Sequence, residues 1–411
     1  MRKTIHYGWL ILVLGVLVVF CSLGLARFGY APILPSMQKA LNLTNTQTGT
    51  IATGNLTAYL LFALLGGFFV SHLGGRIVIP SALFLVGISS IMTGFSNGFR
   101  SVFIWRTITG IGSGCSNVPI MGIMSAWFAP KRRGLATGIA VTGSSIGLIV
   151  TGLLIPRILD AFGAEGWKYA WMILGAIVIF ISALTATFLC NHPEKKGLFP
   201  IGTENNTSIC KKMDSKPVVG ISSVWRSGTV WYLGIIYFTF GFSYIIFTTF
   251  FSKYLQSEAH LTKESASNLW MTVGWISFSC GVIWGWVSDV LGRKYALLLV
   301  NILQGTAYMV FALWTEPIGI RLAVVLFGIT AWSIPALMAS ACGDQLGAKL
   351  APAALGFVTL FFGIGQAIGP AIAGKIADVT DSFSQAFIVA GIVAWIGGIG
   401  SLFLRKKPVI Q

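Results

Sequence analysis

Charge is what this chain has least of. Asp, Glu, Lys and Arg make up 10% of its 411 residues, whereas a water-soluble globular domain carries about 25%, so a soluble globule is excluded. Acids are scarcest, twelve in all, and none lies near the middle of a long apolar run. Asp160, Glu165, Glu258, Glu264, Glu316, Asp378 and Asp381 flank one set of run ends; Glu194, Glu204, Asp214, Asp289 and Asp344 flank the other. The four histidines, His6, His72, His192 and His260, are equally peripheral. The side chains that usually carry a proton through a membrane are therefore missing. No Gly-x4-Gly-Lys-Ser/Thr phosphate loop and no metal-ligand cluster is present, so a nucleotide-driven pump or an embedded metalloenzyme has no support; neither cofactor nor metal is expected. Six cysteines, at 21, 115, 190, 210, 280 and 342, show no paired spacing. They imply no disulfide framework, and Cys21, Cys115 and Cys280, inside apolar runs, read as small packing residues.

What the chain does have is apolar length: 55% hydrophobic residues and a mean hydropathy of +0.81. A membrane-spanning helix needs about 20 apolar residues, and twelve runs qualify, near 8–35, 47–70, 77–96, 102–127, 134–157, 169–190, 229–254, 267–288, 294–314, 319–341, 354–376 and 384–404. Arg2 and Lys3 precede the first run as they would a signal peptide, but the run outlasts an h-region and has a counterpart in the second half, so it is read as a helix. One long polar stretch divides the chain into residues 1–190, a linker at 191–227, and residues 228–411. The net charge of +16 sits in short clusters between runs; that pattern orients a membrane protein and does not bind nucleic acid. With a cytoplasmic N-terminus, eighteen lysines and arginines fall inside and eight outside, so both termini are expected in the cytoplasm.

Gly285-Trp-Val-Ser-Asp289-Val-Leu-Gly292-Arg293-Lys294 is a charged hinge between two apolar runs, and Gly67-Phe-Phe-Val-Ser-His-Leu-Gly74-Gly75-Arg76 is its degenerate twin 218 positions earlier, without the acid. Gly285 lets helices approach, Asp289 can pair with a base or a helix N-terminus, Gly292 makes the turn, and Arg293, Lys294 and Arg76 hold the inner side. The repeat recurs elsewhere: Asn117-Val-Pro119 matches Ser333-Ile-Pro335 and Gly112 matches Gly328 at an offset of 216, while Gly138 and Asp160 match Gly356 and Asp378 at 218. Parallel repeats of this kind build two-bundle transporters. The hinge resembles the loop signature of the major facilitator superfamily. The resemblance covers nearly the whole chain apart from the linker and implies an all-α membrane protein: twelve transmembrane helices in two pseudo-symmetric six-helix bundles, monomeric, with no enzymatic activity.

The leading site candidate is Arg27, in Leu25-Ala-Arg-Phe-Gly-Tyr30-Ala-Pro-Ile-Leu-Pro35. An arginine inside an apolar helix must face water, a partner or a ligand; the bland alternative is backbone bonding or snorkelling. Tyr30 is expected one turn on, on the same face, and Tyr244 stands at Arg27's repeat position, offset 217. The segment resembles the first helix of a bacterial facilitator group of the YbfB/YjiJ type, which implies a bacterial inner-membrane location. Arg106, heading Arg-Thr-Ile-Thr-Gly-Ile-Gly-Ser-Gly, looks like the superfamily's fourth-helix motif and serves either structure or the transport path. Gly134, Gly138, Gly143, Gly147 and Gly152, with Gly356, Gly363, Gly365, Gly369, Pro370 and Gly374, permit sliding or simply tight packing. Asn55, Tyr59, Asn117, Tyr237, Trp270, Trp275, Gln304 and Trp332 are cavity candidates; Gln366 is a substrate contact or an interhelical hydrogen bond.

Two arginines without an acidic counter-ion favour a ligand that brings its own negative charge. Oxalate/formate and monocarboxylate porters are similar in architecture and at Trp127 to Gly134, but they carry a basic residue in helix eight, and the oxalate/formate type a lysine in helix eleven. Here helix eight has none and helix eleven only Lys375 at its end. The expected function is transport of a small organic anion by alternating access, with the lipid bilayer as the other partner. Export of neutral or cationic amphipaths, suited by 13% aromatic content, is the alternative.

Overall fold

In this computed structural model residues 6–203 and 226–404 are described, without the side chains of 130, 131, 282 and 346–352. Bases at 2, 3, 211, 212, 216 and 405–407, and Cys210, lie outside them. The helices are α1 (Tyr7–Ala40), α2 (Asn45–Leu73), α3 (Gly75–Gly94), α4 (Phe99–Trp127), α5 (Pro130–Phe162), α6 (Gly166–Phe188) and α7 (Gly228–Ser257). There follow α8 (Lys263–Ser277 and Cys280–Leu291), α9 (Arg293–Leu313), α10 (Pro317–Gln345), α11 (Ala353–Thr380) and α12 (Ser384–Ser401). All twelve expected runs are helical. Nine stretches among the described residues are long and apolar enough to cross a membrane, one of them holding both α5 and α6. The two rods that fail individually have plain reasons: α4 is diluted by Gly, Ser, Asn and Arg106, and α8 is broken at Phe278 and Ser279.

The breaks follow local chemistry. In α1 a π-helical segment spans Phe20–Phe28; just beyond it Pro32 has no N–H to give the Phe28 carbonyl. In α10 the helix stops at Gly328 and resumes at Ser333, because Pro335 cannot bond the Ala331 carbonyl. The carbonyls freed there are claimed by Trp284 Nε1 (to Ile329 O, 2.6 Å) and Gln304 Nε2 (to Thr330 O, 3.1 Å). Gln304 therefore caps a helix break. Between α10 and α11 the helical trace runs on from Ser333 to Thr380 where a loop is expected between 341 and 354.

Within the first half α2 packs on α4, and α3 on α4 and α6; within the second, α7 packs on α11 and α12, and α9 on α12 and α10. Two main seams join the halves, α2 against α11 and α5 against α8, and the Tyr30–Ala40 part of α1 also packs on α7. The outside is apolar, with Phe180, Leu135 and Val379 at 65%, 64% and 78% exposure, as befits a surface turned to lipid. The start of the linker is pinned: Ile201 exchanges backbone hydrogen bonds with Trp127 and Ala129, and Phe199 O meets His6 Nε2 at 3.1 Å.

Both hinges turn on a left-handed glycine, Gly74 at φ 82° and Gly292 at φ 87°, a region that only glycine enters without strain. Arg293 Nη1 bonds Asp289 Oδ1 at 2.6 Å and Ser288 Oγ at 2.6 Å, and its Nε reaches Asp344 Oδ2 at 3.0 Å. Asp289 is thus paired with its own hinge. Gly285 has free space around it, and the Lys294 ammonium lies over the neighbouring Tyr295 ring. The Arg76 amide donates to Asn191 Oδ1 at 2.7 Å, tying the first hinge to the linker.

Candidate functional site

Arg27 closes the π segment of α1, where i→i+5 bonding widens the turn and frees backbone carbonyls, a device frequent at functional sites. Close packing holds the segment in place: the Cβ of any residue other than glycine at 24 would lie 2.7 Å from the Gly147 Cα of α5. The guanidinium faces inward and donates from Nη2 to the Tyr244 hydroxyl at 2.5 Å. Its Nε is buried and unpartnered, and among the described residues no carboxylate pairs with it. Three rings surround it, Phe28, Tyr59 and Tyr244, with centroids 5.6, 5.8 and 5.8 Å from Cζ.

The tyrosines are set by amides. Gln366 Nε2 of α11 donates to Tyr244 OH at 2.6 Å, and Asn117 Nδ2 of α4 donates to Tyr59 OH at 2.9 Å. The Tyr244 oxygen already accepts two bonds and the Tyr59 oxygen one, so each phenol has its own proton left to give. Donors therefore gather around Arg27, with Asn117 Oδ1 an unpartnered acceptor beside Tyr59. Tyr237 stacks on Phe362 at 4.5 Å, and Phe362 and Phe240 stack on Tyr244, walling one side in aromatics. Trp332, at the break in α10, lies 5.3 Å from Phe28 and 6.4 Å from Tyr244, and its Nε1 donates to Ser145 Oγ of α5 at 3.2 Å, bridging the halves.

Tyr30 and Asn55 are elsewhere. Tyr30 OH donates to Thr48 O at 2.8 Å and Asn55 Nδ2 to Arg106 O at 2.6 Å. Both belong to a brace centred on Arg106, which is 2% exposed, donates from Nη2 to Ala26 O at 2.7 Å and stacks against Trp171 at 4.4 Å. Its Nε and Nη1 have no partner. The brace fixes the carbonyl next to Arg27 and ties α1 to α2, α4 and α6. Trp270 is fully buried beside Phe251 and meets the Phe28 ring edge-on at 6.4 Å, so it backs the Arg27 group, whereas Trp275 is exposed. The sequence reading left Ser145 and Phe362 out; nothing distinguishes a serine among small residues or a phenylalanine among twenty-nine.

A family model described as Major Facilitator Superfamily matches residues 16–351 and 271–410. The hexuronate transporter of Bacillus subtilis (strain 168) is 26% identical over 392 residues, covering 92% of this chain and 89% of its own. Monocarboxylate transporter 2 of Mus musculus is 25% identical over 413 residues, covering 95% and 82%. Among solved structures, a bacterial homologue of the human lysosomal transporter Spinster in an inward-facing conformation superposes with a TM-score of 0.77 at 14% identity, covering 98% of both chains.

Proposed function

The chain belongs to the major facilitator superfamily of membrane transporters, and from that premise we propose that it carries a small organic anion, a carboxylate, by alternating access. The observation behind this reading is the surplus of donors: the Arg27 guanidinium bonds the Tyr244 hydroxyl and lies over the Tyr59 ring, both phenols keep a proton to give, and among the described residues no side-chain carboxylate pairs with Arg27. A carboxylate ligand supplies charge and acceptors together, and a planar guanidinium grips it at two points. The compounds after which two relatives are named, hexuronate and monocarboxylate, share that chemistry.

In this scheme Arg27 takes the carboxylate, Tyr244 and Tyr59 donate to it, Gln366 and Asn117 orient the phenols, and Trp332 and Tyr237 form the walls. Arg106, Tyr30 and Asn55 hold α1 in shape. Residues 1–190 and 228–411 rock as two bodies of a monomer joined by 191–227, with the hinges at Arg76 and at Gly285 to Lys294 shaping the inner face. The distribution of bases supports cytoplasmic termini, and a bacterial inner membrane is the location. Export of cationic amphipaths is disfavoured, because a guanidinium without counter-ion repels a cation.

The test is thermal unfolding of the purified protein with glucuronate, tartrate and lactate and with their methyl esters. A bound ligand at a hundred times its Kd adds about 2.7 kcal/mol of stability. Stabilisation by at least one acid and not by its ester is expected. Equal stabilisation by acid and ester, or a response only to lipophilic cations, would overturn the reading.

A further inference from the structure

On the face opposite the termini the two halves are fastened by one device present twice. Asp160, in the last turn of α5, meets Lys263, the first residue of α8, with Oδ1 to Nζ at 3.0 Å. Asp378, in the last turn of α11, receives the backbone N–H groups of Asn45 and Thr46, the first residues of α2, at 2.9 and 2.7 Å. Each contact crosses from one half to the other, and the two are copies: 160 and 378, like 45 and 263, are 218 apart.

The surroundings repeat in the same register. Asn42 and His260 are both left-handed, at φ 49° and 52°, in the turns that lead into α2 and α8. Thr44 and Thr262 cap those helices through their side-chain oxygens. Gly163 and Asp381, at φ 55° and 57°, terminate α5 and α11. Below each latch the helices touch at a glycine: a Cβ at Gly49 would lie 2.1 Å from Pro370 O, and one at Gly152 2.8 Å from Ser267 O. Nearer the termini Gly138 and Gly356, also 218 apart, have nothing within 4 Å of an added Cβ. The halves are therefore closed on the far face and parted towards the other.

We propose that Asp160 and Asp378 are paired latches that hold the far face shut and release together when it opens. The chemistry differs between the copies but the charge is the same. Asp160 uses an exposed ion pair, side chains 64% and 44% accessible, and such pairs are individually weak and readily broken by water. Asp378 satisfies two helix-start N–H groups that have no partner within α2, aided by the positive end of the helix. Both contacts lie in reach of water, as a gate requires that must open in every cycle.

The experiment uses the full-length protein in detergent with Ser267→Cys, a near-isosteric probe 4% exposed in the α5–α8 seam, and reads its labelling by a bulky maleimide. The same protein without that substitution supplies the background. Asp160→Asn with Asp378→Ala raises the labelling rate by roughly fivefold or more, as a population shift towards the opened state demands. Glu165→Gln, which removes an exposed pair with Lys168 confined to one half, leaves it unchanged. Charge exchange, Asp160→Lys with Lys263→Asp, restores slow labelling relative to Asp160→Lys alone. An unchanged rate in the folded double variant overturns the proposal. So does failure of the exchange to restore slow labelling, which stays measurable if the double variant does not fold.

Discussion

At the scale of single residues the chain sets two arginines to different work with the same side chain. Arg106 is enclosed by Trp171 and Tyr30 and donates to the Ala26 carbonyl; its Nε and Nη1 are also without a partner, but the bond it makes fixes the backbone of α1. Arg27 has one neutral partner, the Tyr244 hydroxyl, and a buried Nε without any; in the proposed reading the ligand meets its charge. Removing one member of a desolvated charge pair costs about 2–4 kcal/mol. Arg27→Ala should weaken carboxylate binding by that much, with Arg27→Lys between it and the parent because the charge survives and the planar fork does not. Tyr244→Phe removes a donor and leaves Gln366 Nε2 unpaired, a loss of about 1–3 kcal/mol. Titration calorimetry with the stabilising acid reads all three. Near-native affinity in a folded Arg27→Ala protein would make Arg27 a structural residue.

At the scale of helices, the glycines of α5 and α11 divide into groups that spacing alone did not separate. Gly143 and Gly147 are pressed against α1: a Cβ would lie 2.3 Å from Val16 O at the first and 2.1 Å from the Gly24 Cα at the second. Gly138 and Gly356 face open space. Gly147→Ala should therefore cost about 1–3 kcal/mol of stability by overpacking. Gly138→Val and Gly356→Val should leave the melting temperature nearly unchanged yet slow transport, because the state closed towards the termini needs those surfaces to meet. Full transport activity in both valine variants would refute that. The twelve helices and the repeat were legible because apolar runs and an offset of 216 to 218 residues survive without any knowledge of packing. Arg27 and Tyr244 were legible as an ionisable residue in a helix and its repeat partner. Tyr30 lies just past the end of the π segment, and its hydroxyl goes to the Thr48 carbonyl of α2, a partner that helical spacing from Arg27 does not reveal. Asn55 and Tyr59 share a face of α2, and only the tertiary structure shows that the first bonds to α4 while the second reaches Arg27.

At the scale of the whole molecule, the position of the acids constrains how transport is driven. Among the described residues every carboxylate sits at a helix end or in a loop. Asp160 and Asp378 latch the far face, Glu258 holds the start of α12 through Ser382 and Phe383, and Asp289 and Asp344 hold Arg293. A proton that moves with the substrate then has no side-chain carboxylate on which to cross, and the substrate's own carboxyl group is the remaining carrier; otherwise the protein works as a uniporter or exchanger. Rate and accumulation separate these roles. Loosening a latch changes how fast the halves exchange, whereas the steady-state ratio of substrate across the membrane is fixed by what is carried with it. In proteoliposomes with an imposed pH gradient, Asp160→Asn, Asp344→Asn and Asp378→Asn should alter initial rates and leave any accumulation ratio intact. If one of these variants abolished accumulation while still equilibrating the substrate, that carboxylate would be carrying the proton, and the substrate-borne route would be wrong.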